Sequence, residues 1–441
     1  MLMPMMRSLG HGWPAYFAVF LLALGLRLGY EVFVWNGPLG NADSAAYEDL
    51  AAKIIHQQPY QTDQSAGPGG FPSDMQRPPG YPALLAVINF PFGAEAGISK
   101  HRISIAQCIL AAAFASWLAW LATSLTHPWI GILAGCFYAT DWVSIVHTPM
   151  VISETAFTIV LGTAVLIYAL ALSRHSNALY LLAGLLLGYA ALVKPAAQLV
   201  ILAFLIGWLS QRPKRLSGLL FLVTYLGCVL PWMVRNENKY GVFTLSEIGT
   251  ATLYFYNAQG SLHSYPLRDL KGNQITNDVN ALDRSWRTQP LSPRERSRIM
   301  KQQAIALIAH HWPAVFRQST IGFARTSLGT ASITAADSMN PQPGRVSQVL
   351  LSILPLVQTC LLWALAIYAC FAAGFLRLET RVLLMASVVC VLLPAAAPLG
   401  HSRFRVPAIP QLCVLAAAGV AEIGTRNGRR KHRPGSRMKA F

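Results

Sequence analysis

A chain of 441 residues that is 54% hydrophobic and only 12% charged, with a mean hydropathy of +0.42, excludes an ordinary soluble globular protein and predicts a polytopic, all-α membrane protein. Its 35 Lys and Arg outnumber 18 Asp and Glu for a net charge of +17. The basic residues are not gathered on one soluble domain, so the excess speaks for membrane orientation and lipid contact and against nucleic acid. Seven cysteines lie within or at the ends of apolar runs, without CxxC or metal spacing, and read as small buried hydrophobes.

A membrane-spanning helix needs about 20 apolar residues. On that criterion about ten spans are expected, near 13–34, 103–123, 128–146, 152–172, 178–193, 196–210, 217–234, 348–376, 382–398 and 407–423. The first lacks a small-residue cleavage site and is expected to be retained. Its Arg27 and Glu31, four residues apart, are expected to pair. With ten spans, Arg7, Arg174, Arg212, Lys214, Arg215, Arg377, Arg381 and the basic tail 426–441 share one side, which places both termini of the multi-pass chain in the cytoplasm. The spans form a single transmembrane domain, 1–425. Its outer side carries a first loop at 35–100, short turns near Glu154, Lys194 and Arg403, and a long polar segment at 235–345. GxxxG spacings at Gly131–Gly135 and Gly184–Gly188 predict close helix packing.

Within the first outer loop, Tyr47, Leu50, Ala51, Ile54 and Ile55 recur at helical spacing and predict a short amphipathic helix at the interface. Asp43 stands at its start, where a carboxylate could act as a general base on a hydroxyl. The plainer reading is that Asp43 or Ser44 caps the helix. Glu154 is a carboxylate at the outer end of an apolar run; it should line a polar cavity or pair with a cation, or simply favour the helix dipole. Arg77 opens Arg77-Pro78-Pro79-Gly80-Tyr81-Pro82, whose prolines hold the guanidinium in a rigid turn suited to phosphate oxygens. Arg235, Arg403 and Arg405 sit at outer helix ends against the inside bias, which favours a phosphate role. Lys194, before Pro195, needs a partner such as Glu154 or a phosphate. A second amphipathic segment at 293–316 carries Ile305, Ile308 and Trp312 on one face, to lie on lipid or cover the site. His310-His311 has no third ligand at metal spacing, and no nucleotide-binding or zinc-protease motif is present.

In order, Asp43 with Tyr47, the Arg77–Pro82 turn, Ser153-Glu154, Gly188–Pro195, Pro231–Asn236 followed by Tyr240–Phe243, and Arg403–Pro407 resemble bacterial family 39 glycosyltransferases of the GT-C superfamily. That group includes aminoarabinose transferases acting on lipid A and protein O-mannosyltransferases. The resemblance covers most of the chain. It implies an inverting transfer of a sugar from a polyprenyl-phosphate donor to an acceptor hydroxyl of lipid, glycan or protein on the outer face. Carried over by position, Asp43 is the catalytic base, Glu154 a second acidic residue and Arg77 a donor-phosphate contact. Tyr47, Tyr81, Lys194, Arg235, Arg403 and Arg405 are further substrate contacts. Ser44 and Lys194 depart from the family's commoner Glu and Arg, and Gln76 replaces a carboxylate that could serve a metal. No cofactor is certain, and a divalent metal stays open. Two alternatives remain: a polysaccharide polymerase or ligase leaning on the late-loop arginines, and a lipid-linked sugar flippase, which would favour related halves and mid-membrane charges.

Overall fold

Inside a bilayer a backbone must satisfy its own hydrogen bonds, and each expected apolar run carries a helix over most of its described residues. The computed structural model describes residues 9–61, 67–211, 215–260, 267–268, 274–276, 279–372, 374–395 and 400–431. Arg7, Arg212, Lys214 and the tail beyond Lys431 lie outside the described residues. In chain order the helices are α1 (Leu9–Phe33), α2 (Ala42–Ile55), α3 (Gly80–Asn89), α4 (Lys100–Leu125), α5 (Pro128–Ala139), α6 (Trp142–His147), α7 (Glu154–Arg174), α8 (Asn177–Val193), α9 (Ala197–Gln211), α10 (Arg215–Tyr240), α11 (Val279–Thr288), α12 (Pro293–His310), α13 (Trp312–Leu328), α14 (Ser332–Asp337), α15 (Arg345–Ala372), α16 (Leu378–Leu392) and α17 (Ile409–Lys431). Single turns occur at Ser73–Gln76 and Ile248–Ala251. The latter runs into a π-helical stretch, Thr252–Gln259, and a 3₁₀ segment, Ser402–Ala408, leads into α17. One short antiparallel pair joins Leu267–Arg268 to Gln274–Thr276.

Among the described residues, six helices are long and apolar enough to cross a membrane: α1, α4, α7, α10, α15 and α17 with its 3₁₀ lead-in. The other four expected spans correspond to α5, α8, α9 and α16, of 12, 17, 15 and 15 residues. The expected 128–146 span breaks after α5, where Asp141 accepts a hydrogen bond from Ser144 N at 2.7 Å and caps α6. Helix α7 runs through the centre of the bundle, buried over most of its length, and packs on α8 and α4. Both GxxxG spacings mark close approach. A Cβ at Gly131 or Gly135 would collide with α4, and one at Gly184 or Gly188 with α10.

The expected Arg27–Glu31 pair does not form. Arg27 is fully buried and donates to the carbonyls of Tyr138 and Ala139 and to Ser144 Oγ, while Glu31 accepts from Ser104 Oγ. The last carbonyls of α5 lack intrahelical donors, and those tertiary acceptors outcompete a local pair.

Above the bundle, α2 buries Ala46, Tyr47, Leu50 and Ala51 and packs on α3, with the Tyr47 and Tyr81 rings edge-to-face at 4.8 Å. A separate outer core joins Phe71 and Met75 to Tyr254, Phe255, Trp286, Met300, Ala304 and Leu307. Helix α12 turns Met300, Ala304 and Leu307 into that core at helical spacing. Ile305, with Trp312 and Phe316 of α13, is left exposed, and Ile308 packs partly against the core.

Candidate active site

The start of α2 sets the site. Asn41 is the helix cap: its Oδ1 accepts from Asp43 N at 2.9 Å and Ser44 N at 3.2 Å. Ser44 Oγ donates to the Val151 carbonyl at 2.7 Å, tying the helix to the segment before α7. Ser44 completes a capping box with Asn41, its Oγ accepting from Asn41 N at 2.9 Å, so the capping reading holds for Ser44 and the Asp43 carboxylate is left for other partners.

Those partners are two guanidiniums. Arg77 Nη2 lies 2.5 Å from Asp43 Oδ1, Arg77 Nη1 donates to the Tyr47 hydroxyl at 3.5 Å, and the guanidinium stacks 5.0 Å from the Tyr47 ring centre. Pro78 and Pro79 follow directly, and Gly80 starts α3 so close to the Leu192–Val193 backbone of α8 that no Cβ would fit. The Arg77 turn is thus clamped between α2 and α8.

Glu154 begins α7 and is buried. Its Oε1 accepts from Lys194 Nζ at 2.9 Å. Lys194 ends α8 in an extended conformation, and Pro195 follows it, breaking the chain between α8 and α9. The ammonium thus finds the expected partner. Arg403 completes the set: its Nη2 is 3.6 Å from Asp43 Oδ2 and its Nε 3.7 Å from Glu154 Oε1. One guanidinium links both carboxylates.

These residues line one cavity of about 900 Å³. Three cations, Arg77, Lys194 and Arg403, face two carboxylates, Asp43 and Glu154, an excess of one positive charge. Other walls are apolar, with Phe157, Leu199, Val391, Pro394 and Phe404 among them. Opposite, the π-helical stretch contributes Tyr256 and Asn257. Burial raises the Tyr256 hydroxyl above its ordinary range, and Asp43 and Asp283 add to the shift, so it stays a proton donor at neutral pH.

Of the residues singled out from the sequence, Asp43, Tyr47, Arg77, Glu154, Lys194 and Arg403 meet at this cavity and three do not. Tyr81 is buried behind it, donating to Gln107 Oε1 at 3.1 Å. Arg405 is fully buried and donates to the Ser327 carbonyl and, at 3.0 Å, to Thr359 Oγ1. A 3₁₀ helix has about three residues per turn, so Arg403 and Arg405, two apart, point to different sides. Arg235 donates to Asp74 and to the Tyr60 carbonyl and stacks on Trp232.

Sequence reasoning missed Asp74. It is fully buried and gathers Arg235, Lys239 Nζ at 3.1 Å and the Tyr240 hydroxyl at 2.6 Å. Burial pushes its carboxyl up, but the hydrogen bonds from Tyr240, Arg235 and Lys239 outweigh that and hold it below the ordinary range. A carboxylate between Phe71 and Met75 was the available signal. Also missed were the cavity-lining His147 and Tyr256.

Among the described residues, no group of three or more His, Cys, Asp or Glu could hold a metal ion. The two cavity carboxylates are already matched by cations, so the donor set does not fit a metal here.

No family model matches the chain, and no curated protein matches it. Solved structures do. The archaeal oligosaccharyltransferase AglB from Archaeoglobus fulgidus, in complex with an inhibitory peptide and a dolichol-phosphate, aligns over 98% of this chain and 53% of its own at 11% identity and a TM-score of 0.56. The apo form of the Archaeoglobus fulgidus oligosaccharyltransferase gives 96%, 51%, 13% and 0.56. ArnT from Cupriavidus metallidurans, bound to undecaprenyl phosphate, covers 96% of this chain and 80% of its own at 14% identity, with a TM-score of 0.34. The chain spans about half the length of the oligosaccharyltransferase chains it matches. The likeness shows the fold alone: a multi-pass helical membrane bundle like that of the oligosaccharyltransferase.

Proposed function

We propose that the protein is a membrane glycosyltransferase that moves a sugar from a polyprenyl-phosphate donor to an acceptor hydroxyl on the extracytoplasmic face, inverting the anomeric centre. The observation that carries this reading is the single cavity in which three cations face two carboxylates beside an apolar wall. One excess positive charge matches a lipid phosphodiester, which carries one negative charge, and the apolar wall suits its tail. The dolichol-phosphate bound to the oligosaccharyltransferase of similar fold supports a ligand of that class.

In this reading Asp43 takes the proton of the acceptor hydroxyl as its oxygen attacks the anomeric carbon. The bond from that carbon to the phosphate oxygen breaks, and its electron pair leaves with the polyprenyl phosphate. Arg77, Lys194 and Arg403 stabilise the second negative charge that forms on the phosphate. A single displacement inverts the centre. Glu154 holds Lys194 and Arg403 in place, and both termini lie in the cytoplasm of an inner-membrane protein. The polymerase or ligase reading loses Arg405 to the bundle interior.

Sugar transfer from a radiolabelled polyprenyl-phosphate sugar to a mixed membrane extract tests this. Transfer by wild type that vanishes in well-expressed Asp43→Asn supports it. Equal transfer by both removes Asp43 as the base.

A further inference from the structure

His147 closes α6 and is 1% exposed. Its Nδ1 lies 2.8 Å from the Val143 carbonyl oxygen. A carbonyl only accepts, so the ring proton sits on Nδ1 and Nε2 carries a bare lone pair. Among the described residues, no protein group donates to that Nε2. Yet His147 lines the same cavity as Asp43, Glu154 and Arg403. Burial pushes the imidazolium down to about 4, leaving a neutral acceptor at physiological pH. Its ring neighbour His401, edge-on at 5.7 Å between centroids, accepts the Arg403 backbone N–H at its own Nδ1. The Arg403 side chain is turned to the two carboxylates.

A buried acceptor without a donor is costly, and a site built this way selects a ligand that brings one. Neither the lipid tail nor an ionised phosphodiester has a hydrogen to give, and the proton of the acceptor hydroxyl goes to Asp43. On the bound lipid donor, the hydrogen-bond donors that remain are the hydroxyls of the sugar itself. We infer that His147 Nε2 accepts a hydrogen bond from a hydroxyl of the glycosyl group on the bound lipid donor, and so helps to choose which sugar is transferred. The assignment rests on the donor reading of the cavity.

The test is binding of undecaprenyl phosphate and of a panel of undecaprenyl-phosphate pentoses and hexoses to purified wild type, His147→Ala, His147→Gln and Arg77→Ala, with thermal stability recorded for each. Wild type should bind one or more sugar-bearing lipids more tightly than the bare lipid phosphate. His147→Ala should weaken those by roughly five- to tenfold while leaving the bare lipid phosphate unchanged, and His147→Gln, which keeps an acceptor oxygen, should recover part of the loss. The deoxy analogue of the preferred sugar should bind wild type and His147→Ala alike. Equal weakening of sugar-bearing and bare lipids, or no weakening, overturns the role of His147. So does a wild type that binds the whole panel no better than bare lipid phosphate. Failure of wild type to bind bare lipid phosphate, with no effect of Arg77→Ala on any lipid, instead overturns the donor reading beneath it.

Discussion

Arg77 Nη2 and Asp43 Oδ1 meet at 2.5 Å across 34 residues of the segment between α1 and α4. The guanidinium also stacks on Tyr47 and is almost fully buried, so its planar fork and its aromatic face are both in use. A lysine ammonium offers neither. Arg77→Lys should therefore keep the fold but lower donor-dependent transfer by about ten- to a hundredfold, the range of a lost charged hydrogen bond. Initial rates against donor concentration check this; an unchanged kcat/KM for the donor would remove Arg77 from the phosphate site.

Arg403 and Arg405 separate function from stability within one 3₁₀ segment. Arg403→Gln should abolish most transfer with little change in Tm, because its side chain is partly exposed in the cavity and its loss leaves no buried acceptor stranded. Arg405→Met should do the reverse, costing about 2–4 kcal/mol by leaving the Ser327 carbonyl and the Thr359 hydroxyl without their donor. Thermal unfolding in detergent alongside the transfer assay measures both. A stable but inactive Arg405→Met would return that residue to the site.

This pair also marks where sequence reading ends. Both arginines were candidates on sequence; that the segment is a 3₁₀ helix, which parts them, and that Arg405 is the one turned inward are settled by packing on Ser327 and Thr359, at separations of 78 and 46 residues. The Lys194–Glu154 pair was legible because an ammonium beside apolar runs must find a charge. The fate of Arg235 was not, since its partner Asp74 lies 161 residues away. At α2, Asn41, Asp43 and Ser44 are all able caps, and a helix start uncertain by one or two residues decides among them. The apolar helices were readable from length and composition. The outer core was not, because its residues come from four separate polar stretches joined only in space.

Asp74 should make the outer layer acid-sensitive. Its folded carboxyl titrates below the ordinary value of about 3.9. The stability it contributes is therefore fully present above that unfolded value and lost as pH falls through the lower folded one. Wild-type Tm should drop on acidification below about pH 4. Asp74→Asn should begin about 3 kcal/mol less stable at pH 7, with Arg235 and Lys239 left unmatched, and show a shallower acid slope. Parallel slopes for the two proteins would show that the cluster does not control this transition.

Glu154 and Lys194 should reveal a strong coupling. The Glu154 carboxylate is buried, and Lys194, at 2.9 Å, is its nearest cation, with Arg403 beyond at 3.7 Å. Lys194→Met removes the nearer charge and should cost about 3 kcal/mol, because a buried carboxylate is left with one distant partner. Glu154→Gln strands the ammonium less severely, since Lys194 is more exposed and stacks on Phe404. In the double variant both charges are gone and nothing is left uncompensated. Its loss should fall well short of the sum of the single losses, a coupling of about 1–3 kcal/mol in a double-mutant cycle. Additive losses would mean that the two side chains do not depend on each other for stability. Transfer should be lost in all three variants, because Lys194 is needed at the phosphate and Glu154 is needed to hold Lys194 and Arg403 there.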